Sequence, residues 1–104
     1  MRLRHISGSE DFVSSSRFVI QNKENYKGLF SEKLFENKHP LSLEIGMGKG
    51  KFIYEMAKRD PARNFIGIER YDSVLLKAIK RREKEEECGT VLQNLYYMSM
   101  DARL

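Results

Sequence analysis

A chain of 104 residues and 12.2 kDa is the size of one small domain. Its 40% hydrophobic and 33% charged residues make it polar, but the aromatics cluster with aliphatics in runs that a fully disordered chain lacks. Nineteen Lys/Arg against 15 Asp/Glu give a net charge of +4, which permits a nucleic-acid partner through counterion release without implying one.

The chain opens with Arg2 and Arg4, and Ser7-Gly8-Ser9-Glu10 follows instead of an apolar stretch. No secretory signal is therefore predicted, and the expected compartment is the cytoplasm. Up to residue 22, Ser and charges surround Phe12 and Phe18-Val19-Ile20, which reads as an arm lying on something and not as a core element. Phe30, Leu34 and Phe35 fit about two turns of helix, and Asn37-Lys38-His39-Pro40 stops it, because proline keeps its predecessor out of the helical region. Residues 1–40 thus read as a basic arm with a short helix, and 41–104 as a second unit.

After Pro40, Leu41, Leu43 and Ile45 alternate with Ser42 and Glu44 and run into Gly46-Met47-Gly48-Lys49-Gly50, a strand followed by a glycine-rich turn. Phe52, Ile53, Met56 and Ala57 then predict the buried face of a helix ending at Asp60-Pro61. Asn64 to Glu69 is a second strand ending in an acid. Asp72 or Ser73 can cap a second helix with Val74, Leu75, Ala78 and Ile79 inward. Its tail, Lys80 to Glu87, is wholly charged and reads as solvated, fraying before a C-cap at Gly89. Leu95 to Met100 is a third strand, followed by Asp101. This β-α-β-α-β order predicts an α/β protein with a parallel sheet. The apolar runs are too short for a membrane helix, Cys88 stands alone, and His5 and His39 lack partners at metal-ligand spacing, so neither disulfide nor metal is expected.

In open parallel sheets, ligands bind at the carboxyl edge. Gly46, Gly48 and Gly50 let backbone approach a ligand at a helix N-terminus, although G-x-G-x-G is tighter than the nicotinamide fingerprint. Glu69, ending the second strand, is placed to accept from ribose hydroxyls. Asp101 could accept from an adenine amine, and Glu44 suits a cationic group better than a pyrophosphate. Together these describe an adenosyl ligand with a positive tail, S-adenosylmethionine. Plainer readings stand beside this one: Glu44 as the polar position of an alternating strand, Asp101 as a loop acid, Lys49 and Lys51 as solvated residues at a helix start. Tyr96, Tyr97, Met98, Met100 and Cys88 read as structural.

Leu43-Glu44-Ile45-Gly46-Met47-Gly48-Lys49-Gly50-Lys51-Phe52-Ile53, Met56-Ala57, Asn64-Phe65-Ile66-Gly67-Ile68-Glu69, Ser73-Val74, Ala78, Asn94-Leu95 and Asp101-Ala102 together resemble the N-terminal half of the bacterial tRNA (guanine-N7-)-methyltransferase family; Arg2, Arg4 and Tyr26-Lys27-Gly28 also fit. The resemblance implies the first half of a Rossmann-like, class I S-adenosylmethionine-dependent methyltransferase, acting on N7 of a guanine, usually guanine-46, in the tRNA variable loop. It implies cofactor contacts at Glu44, Glu69 and Asp101 and tRNA phosphates near Arg2, Arg4 and Lys27, with Lys49 and Lys51 further candidates for RNA contact. Phe30 stands where relatives often carry tryptophan. The family's later Asp-Pro-Trp-Pro-Lys-x-x-His type motif, with its catalytic acid, has no counterpart here, so catalytic residues are expected beyond Leu104 and this chain alone is expected to be inactive. The family fold also flanks the first strand with later strands, so its free edge is expected to be covered by a second copy, a swapped segment or further chain. A non-catalytic RNA-binding or assembly module on the same fold is the competing reading, and a nicotinamide-binding oxidoreductase a weaker one.

Overall fold

The computed structural model describes residues 8–21, 26 and 29–100. In chain order it contains α1 (Ser9–Ser15), a π-helical turn (Phe30–Leu34), β1 (Leu41–Ile45), α2 (Lys51–Arg59), β2 (Asn64–Glu69), α3 (Asp72–Glu87) and β3 (Leu95–Ser99). The strands form one parallel sheet in the order β1-β2-β3, as the alternation of strand and helix patterns predicts. Leu43 lies opposite Ile66, and Gly67 opposite Tyr97.

The two sheet faces carry two cores. On one, Ile53, Tyr54 and Ala57 of α2 and Leu75, Ala78 and Ile79 of α3 pack with Phe65, Leu95 and Tyr97. On the other, Ile66, Ile68 and Met98 are covered by Phe30, Leu34 and Phe35 from the π-helical turn and its end, with Phe35 edge-on to Tyr96 at 5.2 Å between ring centroids. That turn is shorter than the two helical turns expected, and it stops where Glu36 takes a left-handed φ of 59°. The fully buried Asn64 side chain ties it to β2, donating to Ser31 Oγ (3.0 Å) and Asn37 Oδ1 (2.7 Å).

Four sequence expectations are corrected. Residues 9–20 contribute to the core: Val13, Phe18 and Val19 are buried in the helix-side cluster and Ile20 in the other. The segment also lies against the outer edge of β3 through a single parallel bridge, Val19 to Tyr97, with Tyr97 N–H donating to Phe18 O and Ile20 N–H to Tyr97 O, each at 2.8 Å. On α2, Tyr54 is buried, whereas Phe52 and Met56 are 67% and 40% exposed; the inward face is rotated from the one the apolar pattern predicts because none of the described elements covers α2 on its β1 side. On α3, Tyr71 is the N-cap and neither Asp72 nor Ser73 caps the helix; the Asp72 carboxylate instead accepts from the Ser99 hydroxyl at 2.5 Å. Finally, the charged tail of α3 is not wholly solvated, since Arg82 is 3% exposed. The helix ends in a Schellman arrangement: Gly89, at φ 98°, donates to Glu86 O at 3.0 Å, and Thr90 donates to Glu85 O at 2.9 Å, satisfying carbonyls that would otherwise lack partners.

β1 is an edge strand whose outer side pairs with nothing among the described residues. Leu43 (56%) and Ile45 (68%) are exposed beside it. No helix of the described residues is long and apolar enough to cross a membrane.

Candidate functional site

The glycine turn is built on the carboxyl ends of β1 and β2. Gly46 N–H (2.8 Å) and Met47 N–H (3.0 Å) both donate to Ile68 O, and Gly50 N–H closes onto Met47 O at 3.1 Å. Gly46, Gly48 and Gly50 all have left-handed φ, 72°, 62° and 77°, a conformation that costs other residues roughly 1–2 kcal/mol. Gly50 is the N-cap of α2. Its missing side chain is also a packing requirement, because a Cβ there would lie 3.2 Å from Ala78 Cβ and 3.7 Å from Tyr97 Oη. Above Gly46 and Gly48, none of the described residues comes within 4 Å of where a Cβ would stand.

Met47 points the other way and is buried. Its sulfur fills the space a side chain on Gly67 would need, so the glycine of β2 is there to seat the turn.

Glu69 is the acidic centre of the site and is 6% exposed. Its Oε1 accepts from Gly48 N–H at 3.0 Å and its Oε2 from Tyr71 N–H at 3.1 Å. One carboxylate thus joins the glycine turn to the N-terminus of α3, where a negative charge is favourable. Each oxygen retains a lone pair for another donor. Beside it, Arg70 donates to the Tyr71 hydroxyl and lies 4.6 Å over that ring.

Glu44 pairs in register with Gly67 and so shares the sheet face of Glu69. It lines a groove of about 170 Å³ with Ser42, Phe52 and Met56. Burial pushes its carboxyl above the usual range, because a desolvated negative charge is disfavoured.

The structure therefore brings Gly46, Gly48, Gly50 and Glu69 together and sets Glu44 on the same face. Lys49 and Lys51 are exposed at the start of α2. Arg2, Arg4, Lys27 and Asp101 lie outside the described residues. Sequence reasoning missed Asn94, whose buried Nδ2 donates to Ala57 O (2.9 Å), Asp60 O (3.0 Å) and Arg63 O (2.9 Å) and so holds the far end of α2. Its place directly before the third strand, within the Asn94-Leu95 pair of the family resemblance, was the signal in the sequence.

A parallel sheet with a glycine turn after the first strand and an acid ending the second is the arrangement of a nucleoside-binding α/β fold. Residues 38–104 match the model of a family described as "Putative methyltransferase", and the chain belongs to that family. Relatives named tRNA (guanine-N(7)-)-methyltransferase include those of Lachnoclostridium phytofermentans, 45% identical over 98% of this chain and 45% of the relative, and Bacillus cytotoxicus, 43% identical over 98% and 45%. The Bacillus subtilis relative is 37% identical over 98% of this chain and 46% of its own length. The family resemblance read from the sequence is thus borne out, and the chain spans about half the length of the curated relatives it matches. A solved structure titled "Structure of an antibiotic related Methyltransferase" shares the fold, with a TM-score of 0.60 at 24% identity over 75% of this chain and 39% of that one.

Proposed function

We propose that this chain is the cofactor-binding half of a tRNA (guanine-N7-)-methyltransferase, which transfers a methyl group from S-adenosylmethionine to N7 of a guanine in the tRNA variable loop. The observation that carries the reading is the Glu69 carboxylate anchored to Gly48 beneath an open glycine turn. Its remaining lone pairs suit ribose hydroxyls, and the open backbone at Gly46 and Gly48 admits a ligand in close contact. Glu44, already destabilised as an anion by burial, suits a cationic group. When bound, S-adenosylmethionine supplies a methyl group activated by a sulfonium.

N7 of guanine carries an in-plane lone pair and no proton, so no residue need act as base before attack. What the protein must supply is alignment of nucleophile, methyl and sulfur and access to a base held in folded RNA. This chain's residues support the cofactor side. The second wall of the site belongs with whatever covers the free edge of β1, either the part of the fold that the relatives have in addition or a second copy of the chain. Methyl transfer requires that cover in addition to the cofactor half. Asp101 near the adenine, and phosphates at Arg2, Arg4, Lys49 and Lys51, complete the proposed site, and a tRNA substrate makes the cytoplasm its compartment.

Calorimetric titration with S-adenosylhomocysteine and, in parallel, NAD tests the reading. Binding of the first and not the second is expected; the reverse would return the oxidoreductase reading. Methyl transfer to tRNA by the isolated chain would refute the requirement for a cover. Persistent RNA binding without any adenosyl-ligand binding would favour a non-catalytic RNA module.

A further inference from the structure

Arg82 is the most buried cation among the described residues, at 3% exposure in the middle of a charged run. Its guanidinium donates to Leu95 O at 2.5 Å and Leu92 O at 2.7 Å and lies 4.2 Å over the Phe18 ring. The other cation on Phe18 is Arg17, at 4.3 Å, itself paired with Glu86. A buried guanidinium is costly unless its surroundings are fixed to receive it, and Nε has no hydrogen-bond partner among the described residues. An aliphatic side chain would fill the same space without that cost. The acceptors come from the loop entering β3 and from its first residue, and the aromatic face comes from the segment bridged to β3.

Those two elements converge on Tyr97. Its backbone is held on one side by Phe18 O and Ile20 N–H, and its ring lies 5.6 Å from the Arg82 guanidinium. Its hydroxyl sits, with Ala78, beneath Gly50, the residue that ends the glycine turn and starts α2. Tyr54, one turn into α2, donates its N–H to Gly50 O at 3.0 Å. A packed path therefore runs from residues 17–20, through Arg82 and Tyr97, to the floor of the turn.

We propose that Arg82 is a positioning residue for the cofactor turn: by clamping Phe18 and the entry to β3, it fixes Tyr97 beneath Gly50, so that seating of residues 17–20 and affinity for the adenosyl ligand are coupled. The inference rests on the cofactor reading above. Linkage makes the coupling reciprocal, so ligand binding also tightens the N-terminal segment.

The test compares Arg82→Met, Arg82→Lys, Phe18→Leu and Tyr97→Phe with Phe35→Leu, which perturbs the opposite sheet face. For each, the melting temperature, the dissociation constant for S-adenosylhomocysteine, and amide exchange at residues 48–51 without ligand are measured. Arg82→Met and Phe18→Leu are expected to weaken binding about fivefold or more and to speed exchange at Gly50 and Lys51. Arg82→Lys should recover part of both effects, and Phe35→Leu should lower only the melting temperature. Arg82→Met that binds within about twofold of the parent, with unchanged exchange, overturns the proposal. So does a Phe35→Leu variant that shows the same losses. Should Arg82→Met fail to fold, Tyr97→Phe, which removes only the hydroxyl under Gly50, decides by the same readouts. Should the parent not bind S-adenosylhomocysteine, the cofactor reading fails, and the exchange comparison alone decides the relay.

Discussion

Replacing Glu69 with glutamine changes one oxygen and one charge, and it separates the two jobs of this side chain. In the unliganded protein the carboxylate receives two backbone donors, Gly48 N–H at 3.0 Å and Tyr71 N–H at 3.1 Å, in a nearly buried position. Hydrogen bonds to a charged group contribute about 1.5–3 kcal/mol each. Glutamine keeps one of them, in its weaker neutral form, and turns an NH₂ toward the other donor. The expected loss is roughly 2–4 kcal/mol of folding stability, since one buried N–H is left without an acceptor. For a domain of this size that corresponds to a fall in melting temperature of at least about 10 °C. Thermal unfolding by circular dichroism measures the fall, and hydrogen exchange at Gly48 and Tyr71 shows where it originates. Affinity for S-adenosylhomocysteine should drop roughly tenfold or more. A variant that melts within about 3 °C of the parent, with both amides still protected, would refute the view that Glu69 holds the turn.

Gly50→Ala is expected to cost about 1–2 kcal/mol in left-handed strain plus the tight approach to Ala78 Cβ; denaturant titration should show it more damaging than Gly48→Ala, whose Cβ meets none of the described residues. Gly67→Ala drives its methyl into Met47 Sδ and should cost about 1–3 kcal/mol, while Gly67→Ala combined with Met47→Ala should lose clearly less than the sum of the two single changes in a double-mutant cycle. Glu44→Gln is expected to stabilise the unliganded protein at neutral pH. Because burial raises the folded-state pKa of Glu44, stability is greatest below its unfolded value and falls as pH rises through the folded one. The parent-minus-variant difference in unfolding free energy should therefore be negative at pH 7 and vanish in acid; a difference that does not depend on pH would refute it. The same variant should bind S-adenosylmethionine more weakly relative to the uncharged-sulfur S-adenosylhomocysteine.

The order of strand, glycine turn, helix, acid-ended strand, helix and strand from Leu41 onward was determined by sequence alone. Each of those features is local: alternation marks a strand, a left-handed turn needs glycine, and a run of inward aliphatics such as Leu75, Ala78 and Ile79 marks a helix face. Gly46, Gly48, Gly50 and Glu69 were legible for the same reason, because strand order places the ends of parallel strands along one edge. The tertiary structure decided which polar or isolated residues become core. Phe18 and Val19 look like scattered apolar residues in a serine-rich arm until β3 offers an unpaired edge for their backbone. Arg82 looks solvated within Lys80–Glu87 until Leu92, Leu95 and Phe18, distant in sequence, supply its carbonyls and ring. On α2, hydrophobicity favoured Phe52 and Met56, but burial went to Tyr54, since the inward side of a helix is set by which neighbours exist to cover it, and at the free edge of β1 none of the described residues does.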